Sequence, residues 1–229
     1  MKISGIKKSS LIDWPPKVVT TLFVSGCNFN CGWCHNADLV LDSISSEISW
    51  DYLEWHFEKG EGWLDGICLT GGEPLMQEGL VDLLINLRKY NLPVKLDTNG
   101  SYPEELKRII KDRLVEYVAM DIKCPMDMKY SEATGVLVNM DLIRESVRIL
   151  MDSGIDYEFR TTVVPSLLSG EDIVRIGKEI NGAKKYVLQN FENSSTLDEK
   201  FRFIKPYSEH EIEKMADSVS GYAEKIEIR

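Results

Sequence analysis

Residues 18–36 of this 229-residue chain, VVTTLFVSGCNFNCGWCHN, join an apolar run to a cluster of cysteines. The run from Val18 to Ser25 is rich in β-branched and aromatic residues, which predicts a buried strand. Cys27, Cys31 and Cys34 follow in a loop with the spacing C-x3-C-x2-C. Thiolates are soft ligands that suit iron–sulfur clusters or zinc. The stretch therefore predicts a metal site directly after the first strand of the fold.

The number of thiolates separates two kinds of metal site. A structural zinc site needs four ligands, and this loop offers three thiolates with His35 as a candidate for the fourth. A cubane 4Fe–4S cluster held by three thiolates keeps one iron open, and an open iron can bind substrate. The spacing favours the cluster. A zinc knot completed by His35, or a set of three unrelated thiols, stays open as the alternative.

The rest of the chain alternates between strand and helix patterns. Strands are predicted at 18–25, 65–70, 94–97, 115–122, 157–164 and 185–190. Helices are predicted at 47–58, 78–90, 104–112, 140–153, 171–180 and 209–220. Such alternation implies parallel strands joined by right-handed crossovers. Six units are fewer than the eight of a closed barrel, so we expect an α/β fold with an open, partial (β/α)6 parallel barrel. We expect a single domain over 1–229, with 1–17 as an N-terminal extension packed on the barrel.

Unusual residues fall where the predicted strands end. Cys27 follows the first strand, and the second ends at residues 71–74, GGEP. The third ends at residues 97–100, DTNG, and the fourth at residues 121–123, DIK. Ligands of parallel α/β folds bind at the carboxyl ends of the strands. We therefore expect all four segments on one rim.

The composition of the chain argues against several classes of function. The net charge of −10 makes the chain a poor general binder of nucleic acid or anionic membrane. No apolar run approaches the roughly 20 residues of a membrane span, and the start, MKISGIKKSSLIDWPP, lacks the features of a secretory signal. We expect a cytoplasmic protein. An odd count of five cysteines argues against a disulfide framework in such a compartment.

The cysteine loop and the GGEP segment together resemble the radical S-adenosylmethionine superfamily. The resemblance implies that Cys27, Cys31 and Cys34 hold one 4Fe–4S cluster, whose open iron chelates S-adenosylmethionine. It also implies that the glycine-rich segment meets the amino group of the cofactor. Glycines permit such close approach of backbone to ligand. The cofactor-binding residues expected from these two segments are Trp33, Asn36, Gly71, Gly72 and Glu73. Two other roles stay open for Trp33: it is a core aromatic residue, or it shields the cluster from water.

A narrower resemblance links the chain to the glycyl-radical-enzyme activases. It depends on residues 34–36 (CHN), 97–100 (DTNG) and 121–123 (DIK). Residues 10–15, SLIDWP, resemble the start of the branch that activates anaerobic ribonucleoside-triphosphate reductase. The resemblance implies that a 5′-deoxyadenosyl radical removes a hydrogen atom from a glycine Cα of that partner. It also implies a reducing electron donor such as flavodoxin or ferredoxin.

The same resemblance suggests roles for polar residues on the expected rim. Asp97, Thr98 and Asp121 match the positions that hold a monovalent cation beside the carboxylate of the cofactor in related activases. Lys123 and Arg160 would neutralise that carboxylate, and Asp97 would also belong to the cofactor site. Ordinary ion pairing or solvation at strand ends is the competing explanation for these charged residues.

The remaining candidates are interpreted more simply. Cys68 and Cys124 are incidental thiols by our interpretation, and His56 and His210 are expected on the solvated surface. Two other functions stay open. One is a radical enzyme acting on a small molecule, as the deazaguanine synthases of similar size do. The other is a zinc-stabilised binding module.

Overall fold

A computed structural model describes residues 1–41, 47–60 and 62–229 of the chain. In these ranges the strands are β1 (Ile3–Ser10), β2 (Val19–Val24), β3 (Gly66–Gly71), β4 (Val94–Thr98), β5 (Tyr117–Asp121), β6 (Asp156–Val163), β7 (Ala183–Asn190) and β8 (Ala223–Ile228). The α-helices are α1 (Ala37–Val40), α2 (Trp50–Lys59), α3 (Leu80–Leu87), α4 (Pro103–Lys111), α5 (Met128–Thr134), α6 (Met140–Asp152), α7 (Gly170–Glu179) and α8 (Glu209–Ser218). Short 3-10 helices cover Pro74–Met76, Arg88–Tyr90 and Glu199–Phe203.

The strands follow one another across the sheet in chain order, β1 to β8. β1 runs antiparallel to β2, whereas β2–β3 and β3–β4 are parallel. β6–β7 and β7–β8 are parallel as well. The alternation of strands and helices along the chain confirms the predicted α/β class.

The chain forms two compact units. The first consists of residues 1–28, 38–98 and 104–118, and the second of 29–37, 99–103 and 119–229. The expectation of a single domain stays a prediction.

The first unit is built on the apolar strands β2 and β3. Val19, Leu22 and Val24 of β2 are fully buried, because the strand is covered on both faces. Helix α2 begins where the Ser49 side chain accepts a hydrogen bond from the backbone N–H of Tyr52.

In the second unit, the amphipathic helix α8 packs against β7, β8 and helix α7. Helix α7 begins with a capping box, in which the side chains of Ser169 and Asp172 each accept from the backbone N–H of the other. Ile173 and Ile176 on the same helix are fully buried. The spacing of these residues explains why the helical pattern is visible in the sequence.

The six predicted strands correspond to β2–β7, with bounds that differ by a few residues. β1 and β8 were not predicted, and they are the edge strands of the sheet. Both carry exposed charges, such as Lys7 and Lys8 in β1. Charges of this kind protect a sheet edge and hide the apolar alternation by which strands are recognised. The predicted helix 78–90 is also divided, into α3 and a 3-10 turn.

The expectation that His56 lies on the surface is wrong. His56 is buried, and its Nε2 lies 2.8 Å from the hydroxyl of Thr20. Burial and the nearby charge of Lys8 lower the pKa of the imidazole. His210 is exposed, as expected.

The described residues contain no helix that is a candidate for a membrane span. None of the helices described there combines the length and the apolarity that crossing a bilayer requires.

Candidate functional site

The turn that follows β2 leads into Cys27 in the first unit. Gly26 adopts a left-handed conformation with φ of 85°, which favours glycine. Its N–H donates to the carbonyl of Leu39 over 2.7 Å, and its carbonyl accepts from the N–H of Glu73 over 2.9 Å. Cys27, at the end of this turn, is half-buried. Backbone hydrogen bonds on both sides therefore fix the point at which the cysteine loop begins.

Gly71 and Gly72 pack directly against this turn. The N–H of Gly72 donates to the carbonyl of Val24 over 2.8 Å. A Cβ on Gly71 would meet the backbone of Val24, and one on Gly72 would collide with the carbonyl of Gly26. The two glycines are thus required by close approach to the protein's own backbone, in addition to any approach to a ligand.

Glu73 is buried and engaged inside the first unit. Its side chain is 1% exposed, and its Oε1 accepts from the backbone N–H of Leu75 over 3.0 Å. The same oxygen accepts from the hydroxyl of Thr98 over 2.7 Å. The structure therefore brings together two residues, Glu73 and Thr98, that the sequence placed at the ends of different strands.

Asp97 is paired with Lys95, for which no role was predicted. Its Oδ1 lies 2.7 Å from the Nζ of Lys95, and its Oδ2 accepts from the hydroxyl of Thr70 over 3.3 Å. Lys95 also donates to the backbone carbonyl of Asp13 over 2.6 Å. A signal for this pair exists in the sequence. Lysine and aspartate two residues apart in one strand point to the same face.

The cysteine loop proper lies in the second unit and is held by its backbone. The N–H of Cys34 donates to the carbonyl of Cys31 over 2.9 Å, which closes a tight turn between the two thiols. Leu197 donates to the carbonyl of Cys34 over 3.0 Å, and Asp198 donates to that of Gly32 over 2.7 Å. The loop therefore owes its shape to residues far along the chain.

Trp33 covers one side of this turn. The indole is 7% exposed, and its Nε1 donates to the carbonyl of Ala133 over 3.1 Å. The Nζ of Lys123 lies over the ring, 5.0 Å from its centroid. A cation at this distance from the face of a tryptophan is attracted by the ring. Trp33 thus links the cysteine turn to the charged segment after β5.

Asp121, Lys123 and Arg160 form an ion-paired group in the second unit. The carboxylate of Asp121 lies 2.9 Å from the Nζ of Lys123 and 2.8 Å from the Nε of Arg160. Burial alone would raise the pKa of Asp121, but the two cations hold that pKa well below its usual range. Burial would lower the pKa of Lys123, whereas Asp121 and the neighbouring thiols of Cys31 and Cys34 raise it. All three groups are therefore charged at neutral pH.

His35 and Asn36 complete the loop. The Nε2 of His35 lies 2.6 Å from the carbonyl oxygen of Glu192, to which it donates. This contact occupies Nε2, so a metal bound by His35 would have to be held by Nδ1. Asn36 is half-buried and directly precedes α1.

All five cysteines lie in the described ranges, and none forms a disulfide. Across those ranges, no group of three or more histidine, cysteine, aspartate or glutamate side chains is arranged to hold a metal ion. The donor chemistry of Cys27, Cys31 and Cys34 fits an iron–sulfur cluster, since all three are thiols. Cys68 and Cys124 are fully buried, and burial raises the pKa of the Cys124 thiol to about 12. Those two thiols match the interpretation of inert core cysteines.

The residues expected to hold a monovalent cation have partners within the chain. Asp97 is paired with Lys95 in the first unit, and Asp121 with Lys123 and Arg160 in the second. Thr98 donates its hydroxyl to Glu73. Each carboxylate therefore already has a cation supplied by the protein.

The sequence is similar to known proteins over nearly its whole length. The profile of the Radical SAM superfamily matches residues 21–186. A protein of Methanocaldococcus jannaschii named for glycyl-radical enzyme activation is 32% identical over 99% of this chain and 95% of its own. The pyruvate formate-lyase-activating enzyme of Clostridium pasteurianum is 26% identical, over 82% of this chain and 80% of that enzyme.

Solved structures show the same fold. A domain of a pyruvate-formate lyase-activating enzyme from Bacteroides vulgatus has a TM-score of 0.59 and 18% identity, and covers 72% of this chain and 98% of that one. Streptococcus suis SuiB bound to its precursor peptide SuiA has a TM-score of 0.69 and 15% identity, and covers 92% of this chain and 48% of that one. These likenesses confirm the expected partial barrel.

Proposed function

The chain belongs to the radical S-adenosylmethionine superfamily, and we propose that it generates a glycyl radical in a partner enzyme. The observation that carries the proposal is the end-to-end similarity to the Methanocaldococcus jannaschii protein named for that activity. Because the two chains match in length as well as sequence, the similarity extends beyond the domain that all superfamily members share.

The cofactors of this family are a 4Fe–4S cluster and S-adenosylmethionine. Cys27, Cys31 and Cys34 would hold the cluster in this chain. When bound, the cluster supplies the electron that cleaves S-adenosylmethionine to a 5′-deoxyadenosyl radical. The protein contributes position and the exclusion of water.

The first unit contributes rigidity next to Cys27. Gly71 and Gly72 hold the turn before this cysteine through backbone contacts. Glu73 and Thr98 share a buried hydrogen bond, which holds the two side chains together. We assign Gly71, Gly72 and Glu73 to the binding of the amino group of S-adenosylmethionine, through oxygen acceptors of this segment.

The second unit contributes positive charge next to Cys31 and Cys34. We assign Lys123 and Arg160 to the carboxylate of S-adenosylmethionine. Asp121 keeps both side chains in place, since it bonds to each of them. Trp33 would shield the cluster from water, which fits its low exposure, and Asn36 would contact the cofactor.

We propose anaerobic ribonucleoside-triphosphate reductase as the specific partner. The sequence of residues 10–15 supports this choice. A flavodoxin or ferredoxin would supply the electron. A cytoplasmic location agrees with such partners and stays a prediction.

Electron paramagnetic resonance tests the proposal directly. The anaerobically reconstituted protein would be mixed with reductant, S-adenosylmethionine and a candidate glycyl radical enzyme. We expect a glycyl radical signal on the partner, and its loss when the radical-bearing glycine of that partner is replaced by alanine. Turnover of a small molecule such as a deazaguanine precursor without any partner protein would contradict the proposal and support the alternative enzyme class.

A further inference from the structure

Lys95 is a charged side chain in the interior of the first unit. It is 1% exposed, although lysine is among the residues that are least often buried. Its Nζ bonds to the Oδ1 of Asp97 and to the carbonyl oxygen of Asp13. A lysine ammonium has three donors, and these two contacts occupy two of them with oxygen acceptors.

The sheet register explains how the ammonium reaches this place. Thr21 pairs with Cys68 across β2 and β3, and Cys68 pairs with Lys95 across β3 and β4. The three side chains therefore form a row on one face, and Asp97 lies on the same face of β4. Oxygen atoms around the ammonium come from a carboxylate and a backbone carbonyl, the same types that bind hard cations.

We infer that the ammonium of Lys95 supplies the positive charge that activase resemblance assigns to a monovalent cation at Asp97, so that this chain needs no added cation. The inference rests on the proposed function, because it concerns the same site. Lys95 is a positioning residue in this account, since it acts through Asp97. A tethered ammonium is always present beside the carboxylate, whereas a free ion occupies its site according to its concentration.

The first test measures melting temperatures of the metal-free full chain in potassium, ammonium or tetramethylammonium chloride at one ionic strength. The wild type should melt within about 1 °C in all three salts, because its cation is built in. The Lys95→Ala variant should melt roughly 10 °C lower in tetramethylammonium. Potassium or ammonium should restore about 3 °C, because a small cation can enter the space that the lysine vacates.

Two further variants act as matched controls. Lys95→Met should melt as low as Lys95→Ala but show no selective recovery, because the methionine fills the space. Lys7→Ala removes a half-exposed lysine whose Nζ lies 3.8 Å from Asp13, and it should change the melting temperature by less than about 2 °C in every salt.

A second measurement uses only the wild type, so it can be made even if the Lys95→Ala variant does not fold. Formation of 5′-deoxyadenosine by the reconstituted protein should be equal in potassium and in tetramethylammonium. A several-fold gain in potassium, or a Lys95→Ala protein that melts equally in all three salts, would overturn the inference. If S-adenosylmethionine were not cleaved in any salt, the proposed function would be contradicted. The melting temperatures alone would then test the role of Lys95.

Discussion

The ends of β4 and β5 each carry a lysine–aspartate pair two residues apart, yet the pairs differ in place. Lys95 precedes Asp97 within β4, and the side-chain exposures of the two residues are 2% and 14%. Lys123 follows Asp121 beyond the end of β5, with exposures of 15% and 25%, and reaches over Trp33. The first pair is thus the more buried of the two, and the second lies next to the cysteine loop.

The pairs also differ in their further partners. Lys95 is tied to the carbonyl of Asp13, which joins β4 to the segment after β1. Asp121 has a second cation, Arg160, at 2.8 Å. Loss of the lysine therefore leaves Asp97 with contacts such as the Cys68 thiol and the Thr70 hydroxyl, whereas Asp121 keeps a strong partner.

The largest effect is expected from breaking the inner pair. Lys95→Met should lower the free energy of unfolding by about 3–5 kcal/mol, because it leaves a carboxylate in the interior without its lysine. Urea unfolding of the metal-free protein measures this loss. The double variant Lys95→Met/Asp97→Asn should recover most of it, since neither charge is then buried alone. A double variant as unstable as the single one would show that the lysine stem, and not the ion pair, matters.

Breaking the outer pair should cost less. Lys123→Met should lower the free energy of unfolding by about 1–2 kcal/mol, because Arg160 still neutralises Asp121. The same urea experiment compares the two lysines directly. If Lys123→Met proved as destabilising as Lys95→Met, the distinction between an inner structural pair and an outer pair would be lost.

A smaller effect is expected from the pH dependence of Asp121. Its pKa in the folded chain lies below the unfolded value of about 3.9. The pair therefore stabilises the fold above that pH, and the contribution is lost as the pH falls through the folded pKa. Other paired carboxylates share this behaviour, so the comparison needs a variant. The stability difference between wild type and Asp121→Asn should shrink as the pH falls below about 4, and a constant difference would contradict the assigned pKa.

Much of the fold was predictable because local signals agree with the tertiary structure. Strands such as β2 and β3 are apolar runs with proline or glycine near their ends, and helices such as α3 and α7 carry apolar residues at helical spacing. The edge strands β1 and β8 lack that signal, because sequences at a sheet edge are selected for charge and exposure.

The candidate site was predictable in its residue types but not in its internal contacts. The cysteine spacing and the GGEP segment are visible in the sequence. That Gly72 approaches the carbonyl of Gly26, and that Glu73 accepts from Thr98, follow only from how strands pack. Lys95 was missed for the same reason, since a lysine in a strand is ordinarily expected to face solvent.

Cleavage of S-adenosylmethionine is the most direct test of the account. The protein would be reconstituted anaerobically with iron and sulfide, reduced with dithionite and assayed for 5′-deoxyadenosine. We predict that the wild type and the Cys124→Ala control form the nucleoside, whereas Cys31→Ala folds but neither binds the cluster nor cleaves S-adenosylmethionine. Full cleavage by Cys31→Ala, or a wild-type protein that holds a cluster and cleaves nothing, would contradict the account.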